Sequence, residues 1–141
     1  MNYDLALQRM PHRGAMQLIA SVLEADQTVI RCQAKPHTMP SYPLRVEGRL
    51  HRMAFVELGA QAAAAHASLY GIGTAHVGLL LTLNGVEMGE ADPETITTQL
   101  EIRAERLHGD EGSARYCFEV MGGDAGMVLS GGAVLSMRAS A

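Results

Sequence analysis

Glu57 is the one carboxylate in a long apolar stretch, RLHRMAFVELGAQAAAAHASLYG (residues 49–71). Between Met53 and Leu69 the other strongly polar side chains are Gln61, His66 and Ser68. A helix that is apolar nearly all round belongs inside a core, and a carboxylate placed there needs a partner or keeps its proton. Burial would raise the pKa of Glu57 and let it deliver a proton near neutral pH, which is the work of a general acid.

A general acid calls for a base, and the chain has six histidines. His51 lies six residues before Glu57, which on one helix is about 240° around and roughly 9 Å along, so the two cannot simply pair within a chain. His37 stands in a proline-rich stretch and is the other candidate base. His12, His66, His76 and His108 read as structural, His66 as a satisfied core histidine. No two of the six have metal-ligand spacing, so no metal site is expected. Cys32 and Cys117 also lack such spacing; each falls in a strand-like pattern and reads as a buried, reduced thiol, consistent with cytoplasm.

Composition narrows the function classes. At 141 residues, 48% hydrophobic and with a formal net charge of −4, the chain reads as one globular domain spanning residues 1–141. It has no tryptophan and only 4% aromatics, which argues against a stacking surface for single-stranded nucleic acid, and its acidic balance argues against duplex DNA. The N-terminus lacks the apolar run of a signal peptide, and no window is long enough and apolar enough to span a membrane. Residues 31–52 carry five of the eleven basic side chains (Arg31, Lys35, Arg45, Arg49, Arg52) against the single acid Glu47. That is a solvated face, or a surface for an anionic partner.

The elements that must position Glu57 follow from periodicity. A short helix at residues 4–9 stops before Pro11. Two strands, Met16 to Glu24 and Thr28 to Ala34, precede a loop over residues 35–48 that holds Pro36, Pro40, Pro43 and Gly48. Such a loop is long for a compact domain, and long ordered loops are often functional. The central helix then runs to Gly71 and Gly73. Four more strands follow: Ala75 to Met88, Thr95 to Leu107, Ala114 to Met121 and Met127 to Arg138, separated by GEADPE, HGDEGS and GGDAG. One apolar helix with six strands predicts an α+β fold, an antiparallel sheet curling around the helix. The alanines at 60, 62–65 and 67 let the sheet come close.

Three segments carry a family resemblance: MPHRGAMQLIASVLEAD (residues 10–26), FVELGAQAAAAHA (residues 55–67) and HVGLLLTLNGVEMGE (residues 76–90). With them the chain resembles the hotdog-fold superfamily, and within it the 3-hydroxyacyl-acyl-carrier-protein dehydratases and their aryl-polyene-type relatives. The resemblance implies that Glu57 is the catalytic carboxylate and Gln61 its substrate-side neighbour. It implies as substrate an acyl thioester on acyl carrier protein or coenzyme A, with no cofactor. A helix start near Arg49 and Leu50, with Arg52 beside it, would offer a positive dipole end to the thioester oxygen or a phosphate. The family also implies a homodimer, with a heterodimer with a paralogous subunit as the alternative.

One position departs from the family. Its catalytic histidine lies in a His-Phe-Pro-Gly segment about 14 residues before the acid, and here that position is Pro43, in SYPLRVEGRLHRM. Three functions therefore stand side by side: a dehydratase with Glu57 as acid and His51 or His37 as base, a hotdog thioesterase in which the carboxylate works alone, and a non-catalytic acyl-binding or partner subunit.

Overall fold

The computed structural model describes Leu7 and residues 14–70, 75–110 and 112–139. Six strands form one antiparallel sheet: β1 (Ile19–Ala25), β2 (Val29–Ala34), β3 (Ala75–Met88), β4 (Glu101–Gly109), β5 (Ser113–Met121) and β6 (Met127–Ala139), in the order β1-β2-β4-β5-β6-β3. Among the described residues, the sheet wraps around one long α-helix, α1 (Val56–Tyr70). This is the hotdog arrangement expected from the sequence.

The alternation of side chains sets which face meets the helix. In β5, Ala114, Tyr116, Phe118 and Val120 are buried while Arg115 and Glu119 are exposed. Register then aligns inward rows across neighbouring strands: Ile30, Ala104, Phe118 and Gly131 in one, Cys32, Ile102, Val120 and Leu129 in the next. Phe118 thus lies between the small residues Ala104 and Gly131, which leave room for its ring. Each large side chain buried in these rows contributes about 1.5–3 kcal/mol. The helix meets them with its own small residues: every residue from Leu58 to Ser68 is buried. At Gly59 even a methyl group would overlap the Phe118 ring, so the helix axis comes as near to β5 as glycine allows.

Three boundaries differ from the sequence reading, each because a side chain or turn takes over backbone groups. β1 begins at Ile19 rather than Met16. Gly14–Met16 form a 3-10 turn with Gly14 at φ 58°, and the main chain of Met16 and Leu18 is bound by Gln61 instead of a strand. β4 begins at Glu101 rather than Thr95, because Thr95 closes a turn onto Asp92 O and the Ile96 carbonyl is taken by His37. The central helix starts later than Arg49. Glu47 (φ 51°) and Gly48 (φ 77°) reverse the chain so that Val46 and Arg49 pair, and a 3-10 turn, Arg52–Phe55, leads into α1.

Two hairpin ends are closed by aspartates whose carboxylates bind the backbone ahead. Asp26 accepts from Thr28 N and Val29 N, and Asp110 from Gly112 N and Ser113 N, all within 2.7–2.8 Å. β1 and β3 are the two edges of the sheet. The expected N-terminal helix apart from Leu7, the Pro11 to Arg13 opening and the helix-ending glycines Gly71 and Gly73 lie outside the described residues.

Candidate active site

Glu57 occupies the first turn of α1 rather than its middle, and it is half-buried. That corrects the expectation of a charge enclosed on every side. At a helix N-terminus the peptide dipoles favour the ionised carboxylate, the opposite of what enclosure in mid-helix would favour. One turn later Gln61, completely buried, donates from Nε2 to Glu57 Oε1 at 3.2 Å.

Gln61 is itself fixed. Its Nε2 also donates to Met16 O at 2.7 Å, and its Oε1 accepts from Leu18 N at 2.8 Å. Because a carbonyl can only accept and an amide N–H can only donate, these two main-chain partners dictate the orientation of the side-chain amide. Both Nε2 protons are then in use. The resemblance implies a substrate-side place for Gln61; in the structure its amide holds the 16–18 segment against the helix and binds Glu57.

The two candidate bases lie in contrasting settings. His51 is exposed and caps the 3-10 turn, its Nδ1 accepting from Met53 N at 3.2 Å, while its Nε2 makes no hydrogen bond among the described residues. His37 is 1% exposed, with Nε2 at 2.8 Å from Ile96 O and 3.2 Å from Pro93 O. Both are carbonyls, so Nε2 carries the proton and Nδ1 is left with a lone pair that has no partner. His37 therefore pins the 35–48 loop to the segment before β4. Of the candidates, the structure brings together Glu57 and Gln61; each histidine is bonded to main-chain groups elsewhere.

Arg49 is exposed, with its backbone engaged in the bridge to Val46. Arg52 turns toward the segment before β4, donating to Ala91 O at 3.0 Å and Glu90 O at 3.5 Å. With the helix beginning at the Arg52 turn, the dipole end lies beyond Arg49 and Leu50, where the sequence had placed it.

A residue missed by sequence reasoning organises this region. The Arg45 guanidinium donates to Met39 O (3.1 Å), Gly48 O (3.0 Å), His37 O (3.1 Å) and Glu94 Oε1 (3.0 Å). Its side chain is 14% exposed. Inside the loop that it ties, Tyr42 stacks on Phe55 at 6.4 Å between ring centroids, and His37 meets both rings edge-on. The Tyr42 hydroxyl is buried without a partner, and burial pushes its pKa up to about 12. Tyr42, Leu18 and Lys35 line an apolar notch of about 230 Å³. A single arginine in a proline-rich segment was the only sequence signal for this clasp.

A larger concavity of about 480 Å³ lies on the outer face of the sheet, among Asn84, Arg103, Cys117 and Glu119. Arg115, Cys117 and Glu119 point away from α1 by the alternation of β5, so this concavity is separate from Glu57. At the other end of α1, His66 is completely buried. Its Nε2 donates to Asp26 O at 2.8 Å and its Nδ1 accepts from the Tyr116 hydroxyl at 2.7 Å. Burial lowers its pKa to about 4, so it is a neutral structural link. Among the described residues, no group of three or more His, Cys, Asp or Glu side chains is placed to hold a metal, and no helix is long and apolar enough to cross a membrane.

A six-stranded antiparallel sheet in this order, wrapped on a helix that carries an oriented carboxylate, defines a hotdog-fold protein. The ApeP-like family model, described as ApeP dehydratase, matches residues 6–137. The chain belongs to that family. Among solved structures, the dehydratase heterocomplex ApeI:P from Xenorhabdus doucetiae superposes with a TM-score of 0.75 at 20% identity, covering 98% of this chain and 91% of that one. A thioesterase from Haemophilus influenzae gives 0.72 at 13% identity, covering 99% and 92%. A hypothetical thioesterase with coenzyme A from Streptococcus pneumoniae gives 0.64 at 12%, covering 85% and 86%. No curated protein sequence matches the chain at a significant level.

Proposed function

We propose that the protein dehydrates a 3-hydroxyacyl thioester, carried on acyl carrier protein or coenzyme A, with Glu57 as the catalytic acid. The observation that carries this reading is the Gln61-oriented Glu57 carboxyl in the first turn of the helix, in a chain of the ApeP-like dehydratase family. In the reaction a base removes the C2 proton, the C2–C3 double bond forms, and the C3–O bond breaks. Glu57 protonates the departing oxygen, which leaves as water. Atoms and charge balance without a redox partner or cofactor.

The base is assigned across a subunit interface. His37 is sequestered with its N–H on two carbonyls, whereas His51 is exposed at the helix entrance. A second subunit added along the β3 edge supplies the base to Glu57, as His51 of a second copy or as a histidine of a paralogous subunit. β3 is 14 residues long and ends the sheet, and an edge of that length is a template for another strand. The relative from Xenorhabdus is described as a heterocomplex, which supports the paralogous pairing. A homodimer is the assembly to test first, since it needs this chain alone.

The test uses the purified chain, its mass in solution measured, incubated with 3-hydroxyacyl and saturated acyl thioesters. Enoyl product that disappears in Glu57→Gln supports the dehydratase. Release of free thiol instead makes it a thioesterase. Absence of both products, from folded dimeric protein, rules out the homodimer with His51 as its base and makes the chain a partner subunit that needs a paralogous chain for any activity.

A further inference from the structure

We infer that Arg45 is a positioning residue for the Glu57 site, acting through the loop that it ties. The inference rests on the reading of Glu57 given above and adds a residue to it. Arg45 lies twelve positions before Glu57 in the sequence and reaches it by packing.

Two routes connect the loop to Glu57. The first runs through rings. Arg45 holds the His37 carbonyl, and its own amide donates to Tyr42 O at 3.0 Å. The His37 and Tyr42 rings pack on Phe55, which is completely buried two residues before Glu57. The second runs through the backbone. Lys35 N, at the start of the loop, donates to Leu18 O at 2.8 Å. Leu18 N donates to Gln61, and Gln61 donates to Glu57. The turn that carries the carboxyl and the amide that aims it therefore both lean on the loop closed by Arg45.

The shape of the residue matters as much as its charge. Four oxygens from four separate residues surround the guanidinium. A planar fork of five N–H donors can bind them together, whereas a lysine ammonium on a flexible stem cannot reproduce that geometry. Loss of the fork frees the His37 and Met39 carbonyls and the Gly48 turn at once. Displacement of a reacting group by as little as 1 Å costs up to roughly 100-fold in rate.

The experiment compares wild type, Arg45→Lys and Arg45→Ala, with Arg31→Lys as the control. Arg31 pairs with Glu24 of β1 and Glu101 of β4 on the surface of the sheet, so its replacement tests the loss of an arginine ion pair away from the loop. Enoyl formation is measured well below the melting temperature and expressed per folded molecule. In parallel, the Glu57 side-chain carboxyl is titrated by carbon NMR. Arg45→Lys keeps the charge and guards against outright unfolding in Arg45→Ala. The expected result is a kcat lower by roughly 10–100-fold in Arg45→Lys, with KM less affected and the Glu57 titration midpoint displaced, while Arg31→Lys matches wild type in both. A lower melting temperature with unchanged kcat per folded molecule and an unchanged Glu57 midpoint overturns the inference. If wild type forms no enoyl product, the homodimeric dehydratase reading fails on its own, and the Glu57 midpoint in Arg45→Lys still decides whether Arg45 positions the carboxyl.

Discussion

Gln61 holds Glu57 from one helical turn away, its Nε2 3.2 Å from Oε1, while the same amide spans Met16 O and Leu18 N. The carboxyl that does the proposed chemistry is thus tied to the segment entering β1, which is remote in sequence and adjacent in space. Orientation and fold stability share one side chain, and they can be separated by choosing its replacement.

Gln61→Leu removes both functions. It leaves the Met16 carbonyl and the Leu18 amide without their partner, which costs about 1–3 kcal/mol for each group left unsatisfied. A drop in the urea midpoint is expected, together with loss of enoyl turnover. Gln61→Glu keeps the acceptor for Leu18 N but sets an acid beside Glu57 and the Met16 carbonyl. It should retain more stability than the leucine variant while turnover falls. Unaltered denaturation in Gln61→Leu would show that the observed bonds contribute nothing.

Gly59→Ala drives a methyl group into the Phe118 ring. Helix propensity alone would make the change stabilising by about 1 kcal/mol. Overpacking of a close-packed core costs typically 1–3 kcal/mol, and here the overlap involves a ring already enclosed by Ala104 and Gly131. Net destabilisation is expected in thermal or urea melts. A rise in stability would mean that the helix can back away from β5 freely.

Acid should weaken the fold through His66. Burial lowers its pKa from 6.5 to about 4 in the native state, so between these values the unfolded chain binds a proton that the folded chain does not. Stability from this group is complete above about pH 6.5 and is lost as pH falls toward 4, by up to roughly 3 kcal/mol. Urea midpoints at pH 7 and pH 4.5 should therefore differ more in wild type than in His66→Gln, where the proton uptake of this one imidazole on unfolding is absent. Equal pH dependence in both proteins would remove His66 from the explanation.

Cys32 should be silent toward thiol reagents in the native state. It is completely buried, and burial together with the Glu101 charge pushes its pKa up to about 12. Cys117 faces outward and is half-buried, its pKa also raised by burial. A disulfide reagent at pH 8 should modify at most one thiol slowly in native protein and two after unfolding. Rapid modification of Cys32 would contradict the packing of β2 against α1.

The strand pattern was readable because alternation reports directly on a face. In β2, Ile30, Cys32 and Ala34 turn inward just as the order of side chains predicts. The start of the helix was not readable. Residues 49–52 have ordinary helix formers, and although Gly48 permits a positive φ, nothing local signals that Glu47 shares it or that Val46 reaches back to Arg49. Placing Glu57 was therefore easy by residue type and wrong by position: an acid expected in mid-helix stands in the first turn. His37 and Arg45 were hidden for a different reason. Their partners are main-chain oxygens of residues near in space, and a carbonyl has no sequence identity to read.

That last property of Arg45 has a consequence for engineering. Three of its four acceptors are backbone oxygens, at His37, Met39 and Gly48, so the clasp does not depend on which side chains the loop carries. Thr38, Met39 and Ser41 are exposed and can be randomised while the frame that holds Tyr42 and Leu18 stands. The segment is a natural place to build a library that retunes what the notch between Leu18 and Tyr42 admits, with the fold's own arginine serving as the fixed brace.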